Sequence, residues 1–260
     1  MNILNQGPDP VILGIVTAAV VILILTTWLD SKYRGPRFKY PDGEPGVLRF
    51  RASENDTAYP QVIAITGYAG AGKDSLAEAY LARLTILGLQ CEIIHFADPI
   101  KQIMDRLFGW DQTGYPGGDK NKVDARWGIS PRKAYQTFGT DWAHTHVSPD
   151  LWINLTAARV KQNLAFGKVT IIADLRFLSE SDWLVSLQPS VRTRTIGVMR
   201  EGAEGSTHTH ISETQIPELL KYSDRVFYNE GDFSDIHSFV ANDIMRLEIV
   251  DGMTRKCKTA

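Results

Sequence analysis

Short apolar runs alternate with longer amphipathic stretches along the chain from residue 60 onward. Five runs are typical of buried strands, at 61–66, 91–96, 169–173, 193–199 and 225–228. The stretches between them predict helices at 73–87, 99–108, 131–142, 149–166 and 232–246. Strands that alternate with helices predict an α/β fold, in which a mostly parallel five-stranded sheet has helices on both faces.

Residues 109–128 interrupt this alternation. They are rich in Gly, Asp and Lys, which is typical of a loop or a mobile insertion. Ser130 and Pro131 then signal the start of a helix, because Ser is favoured at an N-cap and Pro in a first turn. We therefore expect an irregular segment followed directly by a helix.

The N-terminal part of the chain has a different pattern. Residues Val11–Leu29 carry no charge and are long enough for a helix that crosses a bilayer. Basic residues follow this run and none precede it, so the positive-inside rule places the remainder of the chain in the cytoplasm. We interpret the run as a single transmembrane helix that anchors the protein. A buried core helix, or an extension from a misassigned start codon, are the alternatives.

These patterns divide the 260 residues into four parts. A tail with the membrane helix (1–30) is followed by a flexible Pro- and Gly-rich linker (31–59), a folded domain (60–250) and a C-terminal tail (251–260). The net charge of -2 does not favour a nucleic-acid partner. The sequence leaves the oligomeric state open, with a homodimer among the options.

A phosphate-binding loop lies between the first predicted strand and the first predicted helix. Residues 67–73 read GYAGAGK, which is the GxxxxGK pattern in the structural context that supports it. Glycines let backbone N–H groups turn toward phosphate oxygens, and the lysine reaches the β and γ phosphates of ATP. The residues that we expect to bind ATP here are Gly67, Ala69, Gly70, Ala71, Gly72, Lys73, Asp74 and Ser75.

The loop departs from the usual pattern at the position after the lysine. Asp74 stands where a Mg²⁺-ligating Ser or Thr is expected, and Ser75 comes next. Asp174 follows an apolar strand, at the sheet edge where ligands of α/β proteins gather. Asp74, Ser75 and Asp174 are therefore the candidate Mg²⁺ ligands, with water as an alternative intermediary.

Several basic and polar residues are candidates for phosphate or substrate contacts. Arg176 lies two positions after Asp174, and its guanidinium suits a bidentate phosphate contact. Asp98 follows the second strand, either to position an acceptor or metal-bound water or to cap the next helix, and Lys101 is close enough to reach a phosphate. A surface Asp–Arg pair is the alternative for Asp174 and Arg176.

Two further features suggest substrate binding and closure. Arg132 and Gln136 lie four residues apart on one helix and so share a face, which suits a phosphate and a base edge. Arg200 begins a Gly-rich polar stretch after the fourth strand, which suits a lid that brings a charge to the transferred phosphate. A plain flexible loop is the alternative for that stretch.

From about Tyr59 to Arg246 the chain resembles the phage-type deoxynucleoside monophosphate kinases. Four patterns carry the resemblance, in the same order along the chain: GYAGAGKDSLAEAY, FADPIKQIMDRLFGW, SPRKAYQTFGTDWAHTHVSPDLWINL, and IIADLRFLSESDWL with the downstream THISE. The third and fourth patterns are much more specific than the first, which many NTPases share. The first 58 or so residues have no counterpart in that family.

The resemblance implies a P-loop kinase fold and transfer of phosphate from ATP to a deoxynucleoside monophosphate (dNMP). It implies that Arg132, Gln136 and Arg176 face the monophosphate and that Asp174 works in the metal and phosphate cleft. The third pattern adds Asp150 and Trp152 as substrate-side candidates. An Asn-x-Gly turn after the last strand resembles one that packs against adenine in related kinases, which makes Asn229 a candidate for ATP binding.

The resulting expectation is an in-line kinase in which Lys73, Asp174, Arg176 and Arg200 are catalytic, with ATP and Mg²⁺ as cofactors. One rival is another small-molecule P-loop kinase, such as a dephospho-coenzyme A or phosphomevalonate kinase. The other is a membrane-tethered nucleotide-binding protein without catalysis.

Overall fold

A computed structural model of the chain describes residues 59–203 and 211–258. The predicted membrane helix at 11–29 and most of the predicted linker lie outside these ranges. Among the described residues, no helix is both long enough and apolar enough to cross a membrane.

The centre of the domain is a five-stranded sheet. Its strands are β1 (Val62–Gly67), β2 (Cys91–Ile94), β3 (Val169–Leu175), β4 (Thr193–Met199) and β5 (Arg225–Tyr228). They lie in the order β2-β3-β1-β4-β5, and every neighbouring pair is parallel. All residues of β1 and β3 are buried, as expected for central strands covered on both faces.

Helices connect these strands, and the five predicted helices begin within two residues of their predicted positions, whereas the helices at 110–113, 143–146, 178–186, 211–214 and 216–221 were not predicted. The helices are α1 (Lys73–Ile86), α2 (Asp98–Phe108), α3 (Trp110–Thr113), α4 (Pro131–Gln136), α5 (Ala143–His146), α6 (Leu151–Ala165), α7 (Leu178–Ser186), α8 (Ile211–Thr214), α9 (Ile216–Lys221) and α10 (Phe233–Lys258). The last helix runs past the predicted end at residue 246, since no proline interrupts the residues that follow.

Two hydrophobic cores cover the two faces of the sheet. Alternate residues of β1 point to opposite sides, so Ile63 belongs to the core under α1 and α10 while Val62 belongs to the core under α6, α7 and α9. Because all neighbouring strands are parallel, their carboxyl ends lie along one edge of the sheet, and the phosphate-loop segment leaves the sheet there, after β1.

The helix that begins after Ser130 is not uniform. Ser130 is the N-cap, and its hydroxyl oxygen accepts the Lys133 N–H at 3.3 Å, as the sequence predicted. The helix then widens into a π-helical turn over Thr137–Trp142 before α5. Such turns are rare and frequently mark functional sites.

The prediction of a loop or mobile insertion at 109–128 needs correction. This segment contains α3 and a 3₁₀ turn at Pro116–Gly118, and it packs through a small third core. The third core consists of Met104, Trp110 and Ala134, with Ile100, Phe108, Tyr115, Ile129, Tyr135 and Phe138 packed around them. Buried Asp124 accepts the Trp110 indole N–H at 2.9 Å and pairs with Arg126, which satisfies the polar groups inside the segment.

Candidate active site

The loop between β1 and α1 has the backbone geometry of a phosphate cradle. Gly67 and Gly72 both have positive φ angles, of 151° and 102°. A Cβ on Gly67 would lie 2.4 Å from the Val198 carbonyl oxygen, and one on Gly72 would lie 2.3 Å from the Asn229 amide nitrogen. Only glycine fits at these two positions, because any side chain would clash as well as strain the backbone.

Lys73 folds back over this loop. Its ammonium group donates hydrogen bonds of 2.7 Å to the carbonyl oxygens of Gly67 and Tyr68. Burial, and then the nearby positive charge of Arg176, lower the pKa of Lys73 from 10.5 to about 8. An anion that binds beside Lys73 would offset both effects and so favour the charged form of the lysine.

A cavity of about 550 Å³ opens beside the loop. The sequence candidates that line it are Ala69, Gly70, Lys73, Asp74, Lys101, Arg132, Gln136, Asp174 and Arg176. The structure therefore places residues from the phosphate loop and from the helix after Ser130 around one shared space. The volume lies within the usual range for small-molecule sites.

Asp174 lies near the end of β3 and connects it to the segment after β2. Its two carboxylate oxygens accept the backbone N–H groups of Phe96 at 2.7 Å and Ala97 at 3.1 Å. The side chain is almost fully buried and borders the cavity. The sequence predicted an acid at this edge of the sheet. It did not predict that the same carboxylate also fixes the connection between β2 and α2.

A histidine bridges two of the predicted acids. The imidazole nitrogens of His95 lie 3.3 Å from an Asp74 carboxylate oxygen and 3.2 Å from an Asp98 oxygen. The hydrogen bonds to Asp74 and Asp98 raise the pKa of His95 to about 9, so the ring is a cation at neutral pH. His95 thus fixes the carboxylate of Asp74, the loop residue that stands where a Ser or Thr is expected.

Asp98 is neither the cap of α2 nor a free acid. The N-cap is Ala97, and the Asp98 carboxylate accepts the His95 backbone N–H at 2.8 Å in addition to facing the ring. Neither of the two sequence interpretations of Asp98 described this arrangement. Its side chain does not contribute to the lining of the cavity, whereas neighbouring Lys101 does.

Arg176 faces the phosphate loop through an acid from a distant part of the chain. Its guanidinium donates a 2.8 Å hydrogen bond to one carboxylate oxygen of Glu213, and the other oxygen accepts the Ala69 N–H at 3.3 Å. The backbone N–H of Arg176 donates to Glu180 at 2.8 Å. Side chain and backbone of this arginine are therefore both fixed by carboxylates.

Glu180 is a buried acid that borders the same cavity. One of its oxygens accepts the N–H groups of both Arg176 and Phe177, which begin the turn into α7. Burial, and then the negative charge of Asp174, raise the pKa of Glu180 to about 8. This residue shapes the connection that carries Arg176.

The opposite wall comes from α4 and from the segment at 109–128. Arg132 donates from Nε to the Asn121 side-chain oxygen at 2.5 Å, and its backbone N–H donates to the Lys120 carbonyl at 2.9 Å. Lys120 borders the cavity, and partial burial, followed by the charges of Arg132, Lys101 and Arg176, lowers its pKa. The cations Lys101, Lys120 and Arg132, which come from three separate parts of the chain, thus border this part of the cavity.

Other predicted residues lie outside the cavity. Trp152 is buried, and its indole N–H donates to the Gly139 carbonyl at 2.7 Å, so it supports the π-helical turn. Asp150 is an exposed residue at the start of α6. Ser75 does not border the cavity either. These positions give no support for direct substrate contact by Asp150 or Trp152, or for a metal contact by Ser75.

Arg200 and Asn229 lie on the other side of the phosphate loop. The Asn229 amide donates to the Ala71 carbonyl at 2.7 Å, and its oxygen accepts the Gly231 N–H at 3.0 Å. A Cβ built on Gly231 would lie 3.9 Å from the Arg200 guanidinium. The structure therefore brings these two residues together beside the loop but not into the cavity. Residues 204–210, half of the stretch predicted as a lid, lie outside the described residues.

Among the charged side chains described above at the cavity or the loop, four were not predicted from the sequence: His95, Lys120, Glu180 and Glu213. Glu180 and Glu213 lie inside the patterns IIADLRFLSESDWL and THISE, so their presence there was the available signal. His95 precedes the FADPIK pattern without any periodic cue. Nothing in the sequence around Lys120 distinguishes it from its neighbours Lys122 and Lys133.

The parallel sheet, the glycine loop with its lysine and the shared cavity are the features of a P-loop nucleotide-binding site. Residues 118–240 match the model of the deoxynucleotide monophosphate kinase family. This match confirms the family resemblance that the motifs indicated. It begins after the phosphate loop, so it rests on α4, β3 and the segments that follow them.

Solved structures with a similar fold include two P-loop kinases. The APS kinase CysC of Mycobacterium tuberculosis, in complex with AMPPNP and APS, is 10% identical with a TM-score of 0.38, over 72% of this chain and 96% of that chain. The dephospho-CoA kinase from Campylobacter jejuni is 14% identical with a TM-score of 0.37, over 74% of this chain and 98% of that chain. At this level they carry no inference about substrate. No curated protein sequence matches the chain.

Proposed function

We propose that this protein transfers the terminal phosphoryl group of ATP to a deoxynucleoside monophosphate. The observation that carries the proposal is the single cavity, which has the phosphate loop on one side and Arg132, Gln136 and Arg176 on the others. A kinase needs two phosphate sites that face each other, because the transferred group moves only a short distance between them.

The phosphate loop would hold the donor. Its amide groups and the Lys73 ammonium suit the β and γ phosphates of ATP. Asn229 and Arg200, which lie together beside the loop, are in a suitable place for the adenine end of the nucleotide. Arg200 would reach the transferred phosphate only after a change in conformation, since it does not border the cavity.

The acceptor phosphate would lie among the cations of the opposite wall. Arg132 and Arg176 would neutralise it, and Gln136 would offer an amide to the base. A phosphate monoester is mostly a dianion at neutral pH. Its oxygen can form the new P–O bond while the bond from the γ phosphorus to the bridging oxygen breaks and ADP leaves. No enzyme base is required for this step.

Magnesium is the expected companion of ATP. No group of three or more acidic, His or Cys side chains that could hold a metal occurs within residues 59–203 and 211–247. Mg²⁺ in kinases is bound by one or two carboxylates together with substrate phosphates and water, and Asp174 and Asp74 on the cavity wall fit that requirement. The ion would supply charge neutralisation, whereas the loop and arginines supply position.

A membrane anchor at 11–29 remains part of the proposal. It rests on the uncharged apolar run and the basic residues after it. The kinase domain would then lie in the cytoplasm.

Substrate profiling by coupled ADP release tests the proposed reaction. The full chain is assayed with ATP, Mg²⁺ and each dNMP and NMP in turn, with dephospho-coenzyme A and phosphomevalonate as comparison acceptors. We expect ADP release with at least one dNMP and much less with the comparison acceptors. Binding of ATP without a phosphorylated product from any acceptor would contradict the proposal and favour a nucleotide-binding protein without catalysis.

A further inference from the structure

Glu213 connects the donor and acceptor sides of the cavity. One carboxylate oxygen accepts the Ala69 N–H of the phosphate loop, at 3.3 Å, and the other accepts from the Arg176 guanidinium, at 2.8 Å. The Glu213 side chain is only 10% exposed. A single buried carboxylate therefore joins the loop that would hold ATP to an arginine that would face the acceptor.

The electrostatic surroundings explain why an acid is suitable here. Arg176 lowers the pKa of Lys73, while Glu213 acts in the opposite direction. The two cations repel each other, and the carboxylate beside them offsets part of that repulsion. Without a negative group at this point, the Arg176 guanidinium would be driven away from the loop and toward solvent.

The backbone near Glu213 is anchored to the same region that carries Arg176. The side-chain oxygen of Gln215 accepts the Leu178 N–H at 2.7 Å, at the start of α7. Ile216 and Leu219 of the following helix are fully buried against the sheet. The backbone that follows Glu213 is thus anchored to the sheet and to the start of α7.

We propose that Glu213 is a positioning residue that holds the Arg176 guanidinium at the boundary between the donor and acceptor phosphates. This inference rests on the proposed function. Since the reaction is accelerated by charges that are already in place, an arginine fixed between the two phosphates is worth more than a mobile one. Glu213 acts through Arg176 and need not touch either nucleotide.

A double-mutant cycle tests this coupling. Glu213→Gln keeps the shape but removes the charge, and its NH₂ group would face one of the two donors. We expect kcat for the preferred dNMP to fall by about 10- to 100-fold, while both KM values stay within about threefold. In an Arg176→Ala background the same substitution should lower kcat by less than about twofold, because its partner is already gone.

Two controls distinguish positioning from general damage. Glu218→Gln makes the same change at an exposed glutamate on α9 and should leave kcat and both KM values unchanged. Glu213→Asp keeps the charge and should recover part of the activity lost in Glu213→Gln. Thermal unfolding of all variants shows whether each one is folded.

The possible failures can be told apart. A wild-type enzyme that phosphorylates no dNMP contradicts the proposed function. An active wild-type enzyme in which Glu213→Gln is equally harmful with and without Arg176 overturns the positioning role. A Glu213→Gln enzyme with unchanged kcat and tighter monophosphate binding also overturns it, because the carboxylate would then only occupy an empty phosphate site.

Discussion

At the residue scale, positively and negatively charged side chains lie next to one another in the active site. Lys73 and Arg176 crowd each other near the phosphate loop, and Glu213 lies between the loop and the arginine. Farther along the cavity, the His95 cation lies between Asp74 and Asp98. In both of these places an opposite charge accompanies the like-charged approach and offsets part of the repulsion.

Removal of the Lys73 ammonium should abolish catalysis with little effect on the fold. Lys73→Ala and the better-filling Lys73→Met should each lower kcat/KM for ATP by roughly 10²- to 10³-fold, because the positive charge that would face the γ phosphate is lost. Coupled ADP release measures the effect, and circular dichroism checks that the variants are folded. Normal turnover in Lys73→Met would remove the phosphate loop from the mechanism.

Lys120 should contribute to acceptor binding even though no motif contains it. Lys120→Gln should raise the KM for the dNMP by about fivefold through loss of one nearby charge and leave the KM for ATP unchanged. Lys122→Gln is the matched control, since Lys122 lies on the same segment but not on the cavity wall. Equal effects of the two substitutions would show that only the general charge of the segment matters.

At the scale of secondary-structure elements, ion pairs between residues far apart in the chain join helices to strands. Asp243 of α10 is completely buried and accepts hydrogen bonds from Tyr80 of α1, Arg194 of β4 and Arg225 of β5. Burial alone would raise the pKa of Asp243, but the contacts with Arg194, together with those of Arg225 and Tyr80, hold it below its usual range. The network fixes the last helix against the sheet.

Loss of the Asp243 charge should destabilise the domain. Asp243→Asn should lower the free energy of unfolding by about 3–5 kcal/mol, because two arginines are left without their buried partner. Asp182→Asn, at an exposed position on α7, should change it by less than about 0.5 kcal/mol. Urea unfolding monitored by circular dichroism measures both, and similar small effects would show that the network is dispensable.

The same network predicts a direction for the pH dependence of stability. The depressed pKa means that Asp243 stabilises the folded state above the unfolded-state value of about 3.9. That contribution is lost as pH falls below this value toward the folded-state pKa. Urea unfolding between about pH 3 and pH 7 should therefore show a smaller loss on acidification for Asp243→Asn than for the wild type.

Elements that follow from local sequence patterns can be predicted, whereas contacts between residues far apart in the chain cannot. Strands such as 62–67 and helices such as Lys73–Ile86 follow from local apolar patterns, and the glycine loop follows from its motif. The fold of residues 109–128 could not be predicted from the sequence, because its aromatic residues have no helical or strand period and pack as a cluster. The Arg176–Glu213 contact spans 37 positions in the chain, and a single sequence carries no signal for such a pairing.

The order of the strands determines where chemistry can occur in the whole molecule. Because β1 lies between β3 and β4, the chain connections diverge at the carboxyl end of β1 and leave a crevice there. The phosphate loop and the end of β3 both border this crevice. Residues from the phosphate loop, α2, β3 and α4 meet there although they are far apart in sequence.

A chain that begins at residue 59 should retain both fold and activity. The described domain contains three hydrophobic cores of its own, and every cavity residue lies within it. We expect kcat/KM within about twofold of the full chain and a similar melting temperature, since every residue assigned to the cavity and the three cores is retained. Co-sedimentation with lipid vesicles should be strong for the full chain only. Loss of activity on truncation would show that the first 58 residues contribute to the site.

The third core has a consequence for how this enzyme could diversify. It supports the wall that carries Lys120 and Arg132, and it shares no residue with the two cores that hold the sheet and the phosphate loop. Under the proposed function, substitutions in the third core would change the preference for the acceptor, whereas ATP binding would stay the same. Grafting 98–142 from a homologue of different preference should therefore transplant that preference as a module, so evolution could exchange one half of the reaction without rebuilding the other.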